Sequence, residues 1–162
     1  MSMVTIRSVV DSDTPALLAI QLTPSQVQFA ASPQAFLNNR DSDGVDRYVI
    51  ESDGQLVGFF KVEPDFFQQY DFCSHGAIGL RSFAIDNRFQ GQGLGTASVK
   101  RMVSQLGDDY PDAKEIYLTV NCRNPAARMC YLNAGFIDTE QLYLGGPAGP
   151  QHIMSADLKS VL

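Results

Sequence analysis

Residues 83–96 read Phe-Ala-Ile-Asp-Asn-Arg-Phe-Gln-Gly-Gln-Gly-Leu-Gly-Thr, and this stretch decides the fold. It follows a β-rich run and precedes a segment whose apolar residues recur with helical spacing. Unpaired N–H groups and the positive end of the helix dipole meet at such a junction and attract phosphate. Gly91, Gly93 and Gly95 remove side chains from the approach, so a pyrophosphate can lie directly against the backbone. A merely tight turn would also use glycines.

The spacing of these glycines excludes two nucleotide-binding motifs. The loop lacks the Gly-Lys-Ser/Thr ending of a P-loop nucleotidase. Gly91, Gly93 and Gly95 also fail the Gly-x-Gly-x-x-Gly pattern, and the acid about 20 residues further on, Glu115, opens the following strand instead of ending it. A dinucleotide-binding fold is therefore not expected.

The order of elements around the loop predicts an α/β fold. Before the loop we expect, in order, a strand over residues 4–10, helices starting near Pro15, Pro24 and Pro33, a hairpin over 47–64 that turns at Asp53-Gly54, a loop over 65–75 and a strand over 77–86. After the loop we expect a helix capped by Gly107, a strand over 115–121, a helix from Asn124 to Ala134 stopped by Gly135, and strands over 136–144 and 151–158. The strand–loop–helix–strand portion predicts a right-handed βαβ unit.

Length and composition limit the class of protein. The 162 residues, 44% of them hydrophobic, predict a single domain over 1–162. A net charge of -6 argues against nucleic acid as a partner. No apolar run approaches the roughly 20 residues of a membrane span, and the N-terminus lacks the layout of a secretion signal. We therefore expect a soluble, cytoplasmic protein without membrane contact.

Cysteine and histidine are sparse. Cys73, Cys122 and Cys130 form an odd set without a Cys-x-x-Cys pair, and His75 and His152 are the only histidines. Neither a disulfide framework nor a metal site is predicted.

Charge is unevenly distributed along the chain. Residues 1–86 hold eleven acids and five bases, whereas residues 87–162 hold seven of each. The acidic half is explained either by solvated loops around Asp41, Asp43 and Asp46 or by a cationic substrate.

Two motifs together carry a family resemblance. Gln90 to Gly95 match Gln/Arg-x-x-Gly-x-Gly/Ala, the acetyl-CoA pyrophosphate motif of the GNAT superfamily of N-acetyltransferases, and residues 124–136, Asn-Pro-Ala-Ala-Arg-Met-Cys-Tyr-Leu-Asn-Ala-Gly-Phe, resemble its following helix. The resemblance implies one GNAT-like domain: a mixed, mostly antiparallel sheet of about six to seven strands flanked by about four helices. It also implies that acetyl-CoA is the acetyl donor and that no metal is involved. A homodimer is compatible with the resemblance.

The resemblance assigns roles residue by residue. The residues implied to hold acetyl-CoA are Phe83, Ala84, Ile85, Arg88, Gln90, Gly91, Gln92, Gly93, Leu94, Gly95, Thr96, Asn124, Ala127 and Tyr131. Tyr131 is implied to protonate the leaving thiolate. A backbone N–H of the bulged strand over residues 80–85 is implied to stabilise the oxyanion. Arg123 and Arg128 are further candidates for phosphate contact.

The base that receives the amine proton is less defined. Glu63 and Asp65 are the candidates, and a water relay is the alternative. Superfamily members often place a glutamate in the strand before the loop, where this chain has Arg81. A covalent acetyl-cysteine on Cys130 is disfavoured, because no histidine lies near it in sequence.

Only a second, looser sequence similarity indicates which amine accepts the acetyl group. Residues 22–37, the hairpin and the loop resemble the branch that contains bacterial spermine and spermidine acetyltransferases. This implies a small-molecule amine, first a polyamine or another small cationic amine. An amino acid, an aminoglycoside or a protein N-terminus as acceptor, and a non-catalytic acyl-CoA-binding sensor, are the alternatives.

Overall fold

The structure is a computed structural model that describes residues 3–38 and 44–159. Asp41 and Asp43 of the acidic half lie outside the described residues. One seven-stranded sheet has the order β1-β2-β3-β4-β5-β7-β6. Its strands are β1 Val4–Ser8, β2 Asp46–Ser52, β3 Gln55–Glu63, β4 Ile78–Ile85, β5 Glu115–Asn121, β6 Ile137–Tyr143 and β7 Gln151–Asp157.

Helices of the described residues cover both faces of this sheet. They are α1 Thr14–Leu18, α2 Pro24–Phe29, α3 Pro33–Leu37, α4 Phe66–Gln69, α5 Leu94–Asp109 and α6 Pro125–Asn133. Val49 and Ile50, neighbours on β2, belong to two different core clusters and therefore point to opposite faces. The cluster with Ile50 contains the apolar residues of α5, and the cluster with Val49 contains Leu17 of α1 and Phe36 of α3.

The predicted α/β fold with a mixed, mostly antiparallel sheet is confirmed. β4 and β5 pair in parallel across the crossover helix α5, and the other neighbouring strands pair antiparallel. The hairpin turns at Asp53-Gly54, whose φ angles are 52° and 85°. Two positive φ angles define the type I′ turn that suits a two-residue hairpin.

Two local expectations were wrong. The segment over residues 65–75 contains the short helix α4, where a loop was expected. Gly107 does not cap α5, because the helix continues to Asp109. A Cβ atom at Gly107 would lie 2.6 Å from the carbonyl oxygen of Leu158, so glycine serves close packing here and not termination.

The parallel strands β4 and β5 separate after a short contact. Their pairing is restricted to Ile78 with Ile116 and Gly79 with Tyr117. Farther along β4, the pairing with β3 shifts between Phe59 and Lys61, and Ser82 has a φ angle of 57°. Such a bulge redirects the strand. The C-terminal halves of β4 and β5 consequently form the two walls of an opening in the sheet.

No helix of the described residues is long and apolar enough to cross a membrane.

Candidate active site

A cavity of about 700 Å³ occupies the opening between β4 and β5. Its walls come from both strands, the glycine loop, the first turns of α5 and α6, helix α2 and the connector between β6 and β7. The residues predicted to hold acetyl-CoA that line it are Phe83, Ala84, Ile85, Gln90, Gly91, Gly93, Leu94, Gly95, Thr96, Asn124, Ala127 and Tyr131. Arg88 and Gln92 do not line it. The glycine loop and the α6 motif, which are about 30 residues apart, thus share one site.

The glycine loop presents backbone amides to this cavity. Gly91 and Gly93 have φ angles of 81° and 73°, and a Cβ atom at either position would meet nothing within 4 Å. Helix α5 begins directly after Gly93, and its first intrahelical bond runs from the Ala97 N–H to the Gly93 carbonyl. The N–H groups before Ala97 are therefore available to an anion, and the positive end of the helix dipole favours it. This arrangement fits a pyrophosphate.

Arg88 holds the start of the loop in place. Its guanidinium donates to both carboxylate oxygens of Asp86, at 3.0 and 2.7 Å, and the Asp86 side chain is almost fully buried. Asp86 also accepts the backbone N–H groups of Arg88 and Gln21. Burial opposes ionisation of Asp86, but these hydrogen bonds and the adjacent guanidinium outweigh it and lower the pKa of the carboxyl group. Arg88 is thereby engaged with Asp86, at the end of β4.

Tyr131 forms part of the cavity wall on α6. Its ring lies against Phe83 and Phe136, with centroid distances of 6.1 and 5.6 Å. The hydroxyl makes no hydrogen bond with the described residues and is not among their enclosed polar atoms, so it is open to the cavity. Burial of the residue, with a smaller contribution from Cys130, raises the pKa of the phenol. Tyr131 therefore keeps its proton near neutral pH.

Cys130 lies in the same wall, beside the start of α5. The Thr96 hydroxyl is 3.9 Å from its sulfur, and a Cβ atom at Gly95 would lie 3.3 Å from that sulfur. Burial raises the pKa of the thiol, although the contact with Thr96 opposes the shift. A protonated thiol is a poor nucleophile, which agrees with the expectation that no acetyl-cysteine forms.

The candidate base Glu63 lies behind Arg81. One Glu63 carboxylate oxygen is 2.6 Å from Arg81 Nε and the other accepts from the Gln69 side chain at 2.7 Å. Arg81 lines the cavity, whereas Glu63 and the second candidate, Asp65, do not. The sequence showed that Arg81 is the charged residue of β4, but only the structure shows that it faces the cavity.

The part of the cavity wall formed by helix α2 and the β6–β7 connector was not predicted from sequence. Helix α2 contributes Gln28 and Phe29 to its wall, and the β6–β7 connector contributes Ala148. Gln26 of α2 donates to the Ile85 carbonyl at 2.7 Å, which fixes the helix against the end of β4. The similarity of residues 22–37 to polyamine acetyltransferases was the available signal, although the same residues also suit ordinary helix packing.

Metal chemistry finds no support in the described residues, where His, Cys, Asp and Glu form no group of three that could hold an ion.

The family model described as acetyltransferase (GNAT) family matches residues 14–136 of the chain. The chain belongs to this family. It is an acetyl-CoA-dependent N-acetyltransferase, as the glycine loop and the α6 motif predicted.

A sequence relative and two solved structures are similar to this chain, and the solved structures share its fold. The spermine/spermidine N(1)-acetyltransferase of Bacillus subtilis (strain 168) is 29% identical over 145 residues, which cover 88% of this chain and 93% of the relative. Aminoglycoside acetyltransferase AAC(6')-Ib, in complex with ribostamycin and coenzyme A, has a TM-score of 0.77 at 21% identity, covering 95% of this chain and 93% of that one. The spermidine N-acetyltransferase of Vibrio cholerae, with CoA and spermine, has a TM-score of 0.68 at 16% identity, covering 96% and 95%.

Proposed function

We propose that the chain transfers the acetyl group of acetyl-CoA to a small primary amine by direct attack of the amine on the thioester. The observation that carries this proposal is the cavity between β4 and β5, which connects the glycine loop and Tyr131 on one side to helix α2 on the other. A donor bound at the loop and an acceptor bound against α2 would meet within this one cavity. Holding both reactants in this way replaces a bimolecular encounter by an oriented reaction.

The donor end would hold acetyl-CoA through the backbone. The amides of Gly91 to Thr96 would bind the pyrophosphate, for the electrostatic reasons given above. Phe83, Ala84 and Ile85 line the stretch of β4 that has no partner on β5, so their peptide groups suit a ligand arm that continues the sheet.

The bulge of β4 supplies donors for the oxyanion that forms when the amine attacks. Ser82 has left-handed backbone geometry, and both Ser82 and Phe83 line the cavity. A backbone N–H held in this position needs no reorganisation when negative charge develops, which is the condition for effective stabilisation of a tetrahedral intermediate.

Tyr131 would protonate the departing sulfur. The C–S bond of the thioester breaks while the new amide C–N bond forms, and coenzyme A leaves as the thiol. The raised pKa of Tyr131 keeps the phenol protonated until a thiolate appears beside it. Among the described residues of α6 that line the cavity, the other side chain that can donate a proton is Cys130, whose thiol is a weak donor.

The amine must lose a proton before it attacks, because an alkyl ammonium has a pKa of about 10. Glu63 is engaged with Arg81 and Gln69 and does not reach the cavity wall. A water relay from the cavity to bulk solvent, or to Glu63 past Arg81, would therefore carry the proton.

Two classes of acceptor have support. The names of the curated relatives, and the acidic balance of residues 1–86, favour a polyamine. The presence of Arg81 in the cavity wall favours an amine that also carries a carboxylate.

A thiol-release assay with acetyl-CoA and an amine panel tests the function. The panel contains spermidine, spermine, the common amino acids and two aminoglycosides. Turnover with an amine supports acetyl transfer. Tight binding of coenzyme A by calorimetry without turnover on any amine would instead identify a non-catalytic acyl-CoA sensor.

A further inference from the structure

The charge on the described cavity wall is cationic, which is unexpected for a polyamine site. Among the described residues that line the cavity, Arg81 is the charged side chain, and no Asp or Glu accompanies it. The other lining residues have amide, hydroxyl, thiol or apolar side chains or are glycines, such as Gln28, Thr119 and Phe29. Glu63 pairs with Arg81 from behind but does not line the cavity, so a polycation would meet a guanidinium and no carboxylate in the described wall.

We infer that the acceptor is an amine that also carries a carboxylate, as an amino acid does, and that Arg81 binds this carboxylate. This inference rests on the proposed acetyl transfer and selects one of its two acceptor classes. Arg81 is then a specificity-determining residue.

Three contacts orient the Arg81 side chain without using all of its donors. Its Nη2 donates to the Tyr70 hydroxyl at 2.8 Å, and the guanidinium carbon lies 5.6 and 5.7 Å from the ring centroids of Phe66 and Tyr70. Nε is close to Glu63, but its N–H is not aligned for a hydrogen bond with the carboxylate. Nη1 has no hydrogen bond to a described residue and is not enclosed.

This arrangement suits a second carboxylate. The Arg81 side chain is 39% exposed although its ring neighbours hold it in place, so binding an anion costs little further side-chain entropy. A guanidinium presents several donors in a fixed plane and can bond two carboxylates at once. Glu63 would occupy one edge of the group and the acceptor the other.

Arg123 provides a second guanidinium beside residues of the cavity wall. Arg123 Nη2 donates to the Ala148 carbonyl at 2.6 Å, and its guanidinium carbon lies 5.9 Å from the Phe29 ring centroid. Ala148 and Phe29 both line the cavity. Arg123 thus adds a second positive charge near this wall, while Glu63 partly offsets the charge of Arg81 from behind.

Matched amine pairs test the inference directly. Each pair is an amino acid and the amine that remains after its decarboxylation: lysine and cadaverine, ornithine and putrescine, phenylalanine and phenethylamine. Spermidine and spermine are assayed alongside. We expect kcat/KM for the preferred amino acid to exceed that of its decarboxylated partner, and of both polyamines, by about tenfold or more, the range for a charge-assisted hydrogen bond.

Variants of Arg81 assign the preference to this residue. Arg81→Gln is expected to lower kcat/KM for the preferred amino acid by about 10- to 100-fold and to lower that of the decarboxylated partner much less, since the partner has no carboxylate for Arg81 to bind. Arg81→Lys keeps the charge but loses the planar guanidinium. Its kcat/KM for the preferred amino acid should lie between the values of the unmodified protein and Arg81→Gln. Arg101→Gln on the exposed side of α5 removes a cation elsewhere and serves as the matched control.

Coenzyme A affinity is measured for every variant, and an unchanged value shows that the fold and the donor end are intact. A preference for spermidine or spermine, or equal losses for both members of a pair in Arg81→Gln, would overturn the inference while acetyl transfer stands. Absence of turnover on every amine would overturn the proposed function and the inference with it.

Discussion

The carbonyl oxygen of Leu158 lies 2.6 Å from the position that a Cβ atom would occupy at Gly107. Gly107 is inside helix α5, two residues before its end, and the Lys159 ammonium donates to the Gly107 carbonyl at 2.5 Å. The segment that follows β7 therefore runs against the backbone of α5, and only glycine allows this approach.

Gly107→Ala should consequently destabilise the protein. Within an exposed helix the same change would stabilise by about 1 kcal/mol, because alanine is the better helix former. Here the contact with a backbone carbonyl should reverse the sign and lower the free energy of unfolding by about 1–3 kcal/mol. Urea unfolding measures the effect, with Ser104→Ala on the exposed face of α5 as control. An increase in stability in Gly107→Ala would contradict the close contact.

Tyr131→Phe should reduce kcat by about tenfold or more, because it removes the proton donor to the leaving thiolate. Coenzyme A affinity should change little, since the ring still packs between Phe83 and Phe136. Steady-state kinetics and calorimetry separate the two effects. Tyr143→Phe, which removes a hydroxyl outside the cavity wall, is the control. An unchanged kcat in Tyr131→Phe would exclude the proposed role.

Gly93→Val should weaken coenzyme A binding by about tenfold or more. Gly93 has a φ angle of 73° and faces open space, so a β-branched side chain strains the loop and projects where a pyrophosphate would lie. Gly54→Val imposes similar backbone strain at a φ angle of 85°, in the hairpin turn away from the cavity. Both variants should lose stability, but only Gly93→Val should lose affinity in calorimetry.

Asp86→Asn should make stability less dependent on pH. Because the pKa of native Asp86 lies below its ordinary value, the native state binds fewer protons than the unfolded state, and the carboxylate contributes stability above about pH 4 that is lost as the pH falls through the native pKa. The variant should therefore have a thermal midpoint a few degrees lower at pH 7 and a smaller further decrease between pH 5 and pH 3. Identical pH profiles of Tm for the two proteins would refute this contribution.

Local signals were sufficient to predict much of the fold. The Asp53-Gly54 turn and the start of α6, where Asn124 caps and Pro125 occupies the first helical position, depend on backbone preferences that neighbouring residues determine. The glycine loop was predicted for the same reason, since its φ angles are a property of glycine itself.

Features that depend on distant residues were not predictable. Gly107 was expected to end α5 because nothing in the sequence indicates the approach of Leu158, 51 residues later. Asp86, which holds the Arg88 guanidinium, is buried and accepts the backbone N–H of Gln21, 65 residues earlier, and the sequence does not indicate this contact. Arg81 was recognised as an unusual residue of its strand, but its position in the cavity wall follows from the bulge at Ser82 and the separation of β4 from β5.

That separation also has a mechanical consequence. The four-stranded part of the sheet and the three-stranded part are joined edge to edge by only two residue pairs, at the closed end of the opening. In the absence of substrates we expect slow amide exchange to be lost first at these two residue pairs. A ligand that contacts both β4 and β5 would connect the two parts of the sheet. Binding of the reactants should therefore make rigid the domain that orients them.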